Sequence, residues 1–412
     1  MNAVNIHDTN PKEQGAYVKW HALFGGFMSY ILDALDFMLL AMALPFIMKE
    51  LNLSMAEAGL LGTATLIGVG FSSVVMGWYS DNYGRKNALM GSLLAFGLLT
   101  AAIGFSRGFY DVMILRFLAG LGLGGVWGVA AAYINETWPA HQRGRAASFV
   151  LSSWPIGFGL AALLAGYVLP RYGWRVLFFC GVISVVVVAY IYFFIPESES
   201  WKEQKRLRMS NGEKNSKISI SEVFAPEVLR YTIFGTLSAS CALIAYWGVN
   251  TWIPTFLIKE RGMSMTDMSM FIVMLNVGMF IGYQVFGYLA DKIGRKKSLI
   301  ISFIGATIMV PIYSVAESTT LLFWLGPVMA LFFSYAGMFG SYFAELYPLR
   351  IRSLGAGFCF NVGRGLSAFA PFVLGQIAAT YSLSIGIGLC GLSFLVAGIM
   401  MMFLPETKQA AA

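Results

Sequence analysis

Repeated apolar runs constrain this sequence more than any other feature. A helix needs roughly 20 apolar residues to cross a bilayer, and the chain contains twelve runs of about that length. They lie at about 22–48, 56–79, 88–106, 109–136, 145–169, 173–195, 229–258, 267–290, 298–316, 320–345, 353–378 and 382–404. The sequence therefore predicts an all-α integral membrane protein with twelve transmembrane helices.

The charged residues predict how the chain sits in the membrane. Of the 28 Lys and Arg residues, twenty lie in the tails and the even-numbered loops, six lie in the odd-numbered loops, and Arg116 and Arg364 lie within apolar runs. Positive charge marks the cytoplasmic face, so we expect both termini in the cytoplasm. This bias also explains the net charge of +7, which needs no nucleic-acid partner.

The chain repeats itself at an offset of about 209 residues. "GWYSDNYGRK" (Gly77–Lys86) returns as "GYLADKIGRK" (Gly287–Lys296), and "YINETWPAHQRG" (Tyr133–Gly144) returns as "YFAELYPLRIRS" (Tyr342–Ser353). "IPES" ends the first half and "LPET" ends the second. Two copies of a six-helix unit explain these matches. We predict an N-terminal six-helix bundle at 1–195, a basic cytoplasmic linker at 196–228 and a C-terminal six-helix bundle at 229–412.

These motifs resemble those of the major facilitator superfamily. G-x-x-x-D-x-x-G-R-K follows the second and eighth runs, and the fourth run carries R-x-x-x-G-x-x-x-G at Arg116, Gly120 and Gly124. D-x-x-D in the first run, at Asp33 and Asp36, is similar to the aromatic acid:proton symporters and their relatives that carry muconate or sialic acid. The resemblance implies two pseudo-symmetric bundles that rock around one central site and import an organic acid with protons.

The resemblance also implies a cytoplasmic gate. In the family, the Asp and Arg of the repeated loop form an ion-pair network that latches the two halves together while the cavity faces outward. The matching residues here, with further acidic and basic residues of the fourth and tenth loops, are Asp81, Arg85, Glu136, Arg143, Asp291, Arg295, Glu345 and Arg352. The alternative is that these charges only set topology and helix ends.

Four charges within the apolar runs have no counterpart in the other half. Shifted by 209, Asp33 and Asp36 fall on Ala242 and Ala245, Arg116 falls on Leu325, and Arg364 corresponds to Pro155. A charge at the bilayer centre costs about 2.5–3.5 kcal/mol on insertion scales. We therefore expect these four residues to serve the substrate or the coupling ion rather than the machinery that both halves share.

The two aspartates are the predicted proton carriers, Asp36 first and Asp33 second, with Arg116 as a coupling partner. Burial disfavours a carboxylate's charged form and a nearby arginine favours it, so a carboxylate under both influences can load and release a proton. Counting 1.5 Å per residue places Asp36 and Arg364 at one mid-membrane level. The alternative is a static salt bridge from Asp36 to Arg116 or Arg364.

Arg364 is the predicted substrate anchor, since its guanidinium offers a planar fork of donors that suits a carboxylate. The alternative makes it a permanent counter-ion of Asp36. Further predicted substrate-binding residues are Asn361, Trp127, Trp154, Trp247, Tyr246, Gln284 and Tyr335. They suit an aromatic acid, a muconate-like dicarboxylate or a sugar acid.

Several other classes lack the residues they need. The three histidines (His7, His21, His141) lie outside the runs or at their edges, so neither an embedded metal site nor a catalytic triad is predicted. No G-x-x-x-x-G-K-[ST] is present, so we expect no cofactor, no enzyme activity and a proton gradient as the driving force. We expect a monomer in the bacterial inner membrane, surrounded by lipid. A proton-coupled exporter and a transporter-like sensor stay open as alternatives.

Overall fold

A computed structural model describes residues 11–139, 143–211, 220–348 and 351–407. Over these ranges the chain consists of helices and short turns, without β-strands. The helices are α1 (Pro11–Leu51), α2 (Met55–Tyr83), α3 (Arg85–Ile103), α4 (Phe109–Leu123), α5 (Val126–Thr137), α6 (Arg143–Leu151), α7 (Ser153–Phe179), α8 (Ser184–Phe194), α9 (Glu199–Asn211), α10 (Pro226–Lys259), α11 (Met265–Ile293), α12 (Arg295–Val315), α13 (Thr319–Leu331), α14 (Tyr335–Leu346), α15 (Arg352–Ser367), α16 (Ala370–Thr380) and α17 (Leu383–Met402).

The helices confirm the predicted membrane fold. Eleven stretches of the described chain are long and apolar enough to cross a membrane, and one of them, Phe149–Phe194, has 46 residues. That length is about twice what one crossing needs. The backbone leaves the helical conformation inside it at Gly173 (φ 78°, ψ 175°), so this stretch contains two crossings. Twelve crossings result, as the hydropathy predicts.

Two predicted helices are interrupted at matching places. The fourth crossing breaks between α4 and α5 at Gly124 and Gly125, and the tenth breaks between α13 and α14 at 332–334. The eleventh crossing also breaks, between α15 and α16. Breaks inside a membrane are tolerated where the backbone is buried in protein or lines a cavity. The breaks at Gly124 and near Tyr335 border the central cavity described below.

The repeated loops form one-residue turns. Gly84 joins α2 to α3 with φ 113°, and Gly294 joins α11 to α12 with φ 105°. A residue with a side chain rarely adopts these angles, which explains the glycine of each G-R-K sequence. Both turns lie on the same side of the helix bundle, which we call the GRK side. The other side is called the opposite side.

The two halves, α1–α8 and α10–α17, meet mainly on the opposite side. The main contacts between the halves are of α1 with α10, α2 with α16 and α7 with α11. Near the start of α2, Gly59 lies directly against the backbone of Pro371 and Phe372, and Gly375 of α16 lies against Met55. A side chain at Gly59 or Gly375 would push the halves apart, so these glycines allow the opposite side to close.

On the GRK side the halves are separated by a space of about 930 Å³. Its walls include Phe149 and Ile156 from the first half and Tyr288 and Asp291 from the second half. Tyr288, Phe149 and Asp291 are exposed. The molecule is therefore closed on the opposite side and open on the GRK side.

The predicted linker at 196–228 contains α9 and a short turn of 3-10 helix at Ile220–Phe224. Residues 212–219 lie outside the described ranges. Trp201 of α9 is buried, and its indole Nε1 donates a hydrogen bond to the Asp81 carbonyl oxygen at 2.8 Å. The start of the linker is thus attached to the GRK side of the first half.

Candidate functional site

A cavity of about 310 Å³ lies between the halves at the level where the helices break. It continues into the space on the GRK side, because Leu151 and Tyr283 line both. Among its lining residues only Asp33 and Arg364 are charged. The lining also includes most of the predicted substrate-binding residues, namely Trp127, Trp154, Tyr246, Trp247, Tyr335 and Asn361.

Arg364 reaches the cavity from the last turn of α15, one turn after Asn361. Its guanidinium carbon lies 5.9 Å from the centre of the Phe37 ring, a cation–π distance. Its carbonyl accepts a 2.7 Å hydrogen bond from the Ser367 hydroxyl where α15 ends. Within the described ranges, no hydrogen bond or ion pair engages the guanidinium itself. The second half therefore presents free donors to the cavity.

Asp33 lies on α1 in the first half and also lines the cavity. Its side chain is almost completely buried, and its Oδ1 has no hydrogen-bond partner among the described residues. Because buried polar atoms nearly always have partners, an unpaired carboxylate oxygen beside a cavity suggests a group that binds something transient. A proton or a bound solute can supply the missing contact.

Asp36 occupies a different environment from Asp33. Its Oδ1 forms an ion pair with Nη1 of Arg116 at 3.0 Å, and its Oδ2 accepts a hydrogen bond from the Thr100 hydroxyl. Nε of Arg116 donates to the Thr65 hydroxyl at 3.0 Å. Both members of the pair are buried, and neither lines the central cavity. Of the two static pairings that the sequence leaves open for Asp36, the structure therefore contains the one with Arg116 and not the one with Arg364.

The geometry of a helix explains this difference. Three residues along an α-helix correspond to a rotation of about 300° at 3.6 residues per turn. Asp33 and Asp36 therefore differ by about 60° in direction, although they share one side of α1. That angle is enough to point Asp33 towards the second half and Asp36 towards Arg116 of α4, within the first half. A depth estimate gives the level of a residue but not this direction.

The cavity walls are mostly aromatic. Nε1 of Trp154 donates a 2.7 Å hydrogen bond to the hydroxyl of Tyr246, which joins the first half to the second. The ring centre of Tyr30 lies 5.3 Å from that of Trp127 and 5.4 Å from that of Trp154. Tyr30 and Tyr283 also line the cavity but were not among the residues predicted from the sequence. Tyr30 could have been found, because it precedes Asp33 by three residues on one helix face.

Gln284 does not line the central cavity, contrary to the prediction. It lines the space on the GRK side instead, next to Tyr288 and Asp291. Its neighbour Tyr283 lines both spaces. Successive residues of an α-helix point about 100° apart. Tyr283 and Gln284 therefore face different walls, and choosing Gln284 in place of Tyr283 selects a residue that faces the GRK-side space. Gln284 lies on the path between the cavity and the GRK side.

The predicted gate residues form ion pairs within each half. In the first half, Arg85 pairs with Asp81 and, at 2.9 Å, with Glu136. In the second half, Arg295 pairs with Glu345, while Asp291 lines the open space. Arg352 is exposed at the start of α15, and the side chain of Arg143 lies outside the described part of the chain. These described pairs do not bridge the halves, so the expected latch between halves is not formed in this open state.

Comparison with known proteins agrees with this architecture. Residues 26–344 match the Major Facilitator Superfamily. This chain belongs to the major facilitator superfamily.

The cis,cis-muconate transport protein of Acinetobacter baylyi is 31% identical over 98% of both chains. The sialic acid transporter NanX of Escherichia coli is 28% identical over 90% of this chain and 91% of its own. The crystal structure of a D-xylose-proton symporter shares the fold, with a TM-score of 0.75 and 20% identity over 95% of this chain and 98% of that one.

These relatives establish that this superfamily member is a multi-pass membrane transporter and not an enzyme. They also confirm the resemblance to organic-acid transporters, which rested on D-x-x-D in the first helix. The individual roles of the site residues stay predictions.

Two acidic residues that contact the repeated loops, Glu197 and Glu406, were not among the residues singled out from the sequence. Glu197 of "IPES" accepts hydrogen bonds from the backbone N–H groups of Arg85 and Lys86, at 2.9 and 3.2 Å. Glu406 of "LPET" accepts similar bonds, one residue farther along the helix, from the backbone N–H groups of Lys296 and Lys297, at 3.1 and 3.2 Å. A carboxylate at a helix N-terminus is stabilised by the free N–H groups there. The sequence repeat could have identified both residues, because Glu197 and Glu406 are 209 residues apart and occupy the same position in their halves.

Replacing Asp36 with asparagine is expected to destabilise the protein by about 3–5 kcal/mol, because the change leaves Arg116 buried without its counter-charge. The double variant Asp36→Leu/Arg116→Leu removes both charges, and we expect it to regain most of the lost stability. Thermal unfolding in detergent measures both effects. A single variant as stable as the unmodified protein would show that the ion pair does not stabilise this part of the fold.

Proposed function

We propose that this transporter imports a small organic acid anion together with protons by rocking its two halves around the central cavity. The observation that carries the proposal is Arg364, a guanidinium with free donors in the wall of a mid-membrane cavity. A membrane-embedded guanidinium whose donors have no hydrogen-bonded or ion-paired partner is costly. An anionic substrate that binds there offsets this cost and is thereby selected.

The size and walls of the cavity support a small, ring-bearing acid. A volume of about 310 Å³ is at the lower end of the roughly 300–1,000 Å³ typical of small-molecule pockets. Tyr30, Trp127 and Trp154 supply flat apolar surfaces, while Asn361 and the Tyr246 hydroxyl supply polar contacts. The relatives named for muconate and sialic acid transport also support an organic acid as cargo.

Charge balance favours an acid with a single carboxylate. Once Asp33 is protonated, Arg364 is the remaining charge among the lining residues. A dicarboxylate would leave its second carboxylate in the cavity without a cationic partner, and burying an unpaired charge is strongly unfavourable. Aromatic and sugar monoacids are therefore preferred over muconate-like dicarboxylates.

Asp33 carries the coupled proton in this mechanism, because it lines the same cavity as Arg364, whereas Asp36 does not. With the opposite side open, Asp33 takes up a proton and the acid binds Arg364. The halves then close on the opposite side, where Gly59 meets Pro371, and part on the GRK side. The acid and the proton leave through the space lined by Gln284 and Tyr288. Asp36 and Arg116 stay paired beside this path.

We place the transporter in the bacterial inner membrane as a monomer, with both termini and the GRK side in the cytoplasm. The distribution of Lys and Arg supports this orientation. The open side of the cavity then faces the cytoplasm, which is the side where an importer releases its cargo. The proton gradient supplies the driving force without a cofactor.

Uptake by reconstituted proteoliposomes tests this function. We expect aromatic and sugar monoacids to accumulate when the outside is acidic, and a protonophore to abolish the accumulation. Muconate-like dicarboxylates should accumulate less, and liposomes without protein serve as the control. Uptake that a protonophore leaves unchanged would contradict proton coupling. Protons that leave the vesicles as the acid enters would instead identify an antiporter.

A further inference from the structure

The wall of the central cavity changes in chemistry along α15. Arg364, Asn361 and Gly357 all line the cavity, and their spacings of three and four residues place them on one face of the helix. The chain leaves the GRK side in α12 and returns to it in α13 and α14, so α15 begins there. At 1.5 Å per residue, Gly357 lies about 10 Å nearer to the GRK side than Arg364. Along this face the cavity therefore passes from a guanidinium to an amide and then to a position without a side chain.

Two other helices also present glycine to the cavity. Gly128 of α5 and Gly340 of α14 both line it. Both helices run from the breaks in their crossings towards the GRK side, so these glycines lie at the GRK-side end of the cavity, as Gly357 does. The charged groups lie at the other end, where Asp33 is close enough to Arg364 to interact with it electrostatically. We call the part of the cavity bounded by Gly128, Gly340 and Gly357 the glycine end.

Neither backbone geometry nor close packing explains these three glycines. None of them has a positive φ. A Cβ added at Gly128 or Gly340 would meet no atom of the described chain within 4 Å. A Cβ at Gly357 would meet Nδ2 of Asn361 at 3.9 Å, which is an ordinary van der Waals contact. The missing side chains therefore leave open volume, and in each case that volume belongs to the cavity.

We propose that Gly128, Gly340 and Gly357 set the maximum length of the cargo, because they leave room for the part of the molecule farthest from its carboxylate. With its carboxylate on Arg364, an acid extends along α15 towards the GRK side, and its far end enters the glycine end. A side chain at any of the three positions would occupy that space. This inference rests on the proposed function, since it needs a carboxylate on Arg364, and it adds the residues that select among acids by length.

Benzoate and its 4-alkyl homologues test the proposal, because the alkyl group lengthens the acid on the side away from the carboxylate. Isothermal titration calorimetry measures their binding to the purified full-length protein in detergent. We expect Gly340→Ala and Gly357→Ala to weaken binding of the longest homologue that the unmodified protein accepts by roughly 10- to 200-fold, the effect of one methylene group too many in a pocket. Benzoate is shorter than the distance from Arg364 to Gly357, so both variants should bind it as the unmodified protein does.

Gly91→Ala is the matched control. Gly91 is an exposed glycine of α3 outside the cavity, and a Cβ there would likewise meet no atom of the described chain within 4 Å. This variant should bind every acid of the series normally. Alanine favours a helix more than glycine does, so all three variants should keep or raise the Tm, and a loss of binding then does not come from unfolding.

Three results would overturn the proposal. Equal losses for benzoate and the long homologue would show that the alanines disturb the carboxylate site rather than the glycine end. Unchanged binding of the whole series would show that these glycines do not limit length, and lost transport with unchanged binding would assign them to the closing of the GRK side. If the unmodified protein binds no acid of the series, the proposed function fails as well, and this result is distinct from the other two.

Discussion

Replacing Arg364 with alanine is expected to weaken binding of the transported acid by about 10- to 100-fold. Hydrogen bonds to charged groups contribute about 1.5–3 kcal/mol, and each 1.4 kcal/mol is tenfold in affinity. The guanidinium lines the cavity and makes no hydrogen bond or ion pair among the described residues, so Arg364→Ala removes the donors that are free to bind the acid. Equilibrium binding of a labelled acid to the purified protein measures the change.

Two comparisons show whether the loss comes from the carboxylate contact. Arg364→Lys keeps the charge but not the planar fork, so it should bind with intermediate affinity. The amide of the same acid carries no negative charge, and its weaker binding should change little on Arg364→Ala. Arg171→Ala removes an exposed arginine far from the cavity and should bind the acid normally. Unchanged binding by Arg364→Ala would contradict the proposed substrate site.

Replacing Asp33 with asparagine is expected to abolish accumulation driven by a pH gradient while preserving exchange of substrate across the membrane. Asparagine keeps the size of the side chain but cannot take up the coupled proton. Exchange needs only the rocking of the loaded carrier, so it should continue. Proteoliposomes loaded with unlabelled acid measure exchange, and proteoliposomes with an imposed gradient measure accumulation.

Asp36→Asn is the informative companion variant. It lies one helical turn from Asp33 but belongs to the sealed pair with Arg116, so we expect its main effect to be on stability. If folded Asp36→Asn loses accumulation and keeps exchange, while Asp33→Asn accumulates normally, then Asp36 is the proton carrier and the assignment to Asp33 is wrong. Measuring both variants at a temperature where both stay folded separates these outcomes.

The fold could be predicted because hydrophobicity and repetition act over long stretches. Twenty apolar residues need a membrane or an unusually large core, and the return of G-R-K after about 210 residues reveals the duplication. Residues of the site were found for a related reason. Asp33 and Arg364 are costly in a membrane and unmatched between halves, so their function has to explain their presence. The insertion cost of a charge and the comparison of the two halves can both be read from the sequence, without knowing which side chains are in contact.

Pairings between the charges could not be predicted in the same way. The sequence gives the depth of Asp36 and Arg364, but the rotation of each helix depends on how α1 packs against α4 and α10. For the same reason Gln284 was assigned to the wrong wall. The latch between halves was expected from the family motif, but ion pairs at a gate depend on the state of the carrier, which a sequence does not specify.

The hydrogen bond between Trp154 and Tyr246 has a practical consequence. It links a helix of one half to a helix of the other inside the cavity wall, so rocking of the halves must change its geometry. Indole fluorescence is sensitive to such contacts. The transport cycle should therefore produce an intrinsic optical signal, and a stopped-flow spectrometer could follow it in the unlabelled protein.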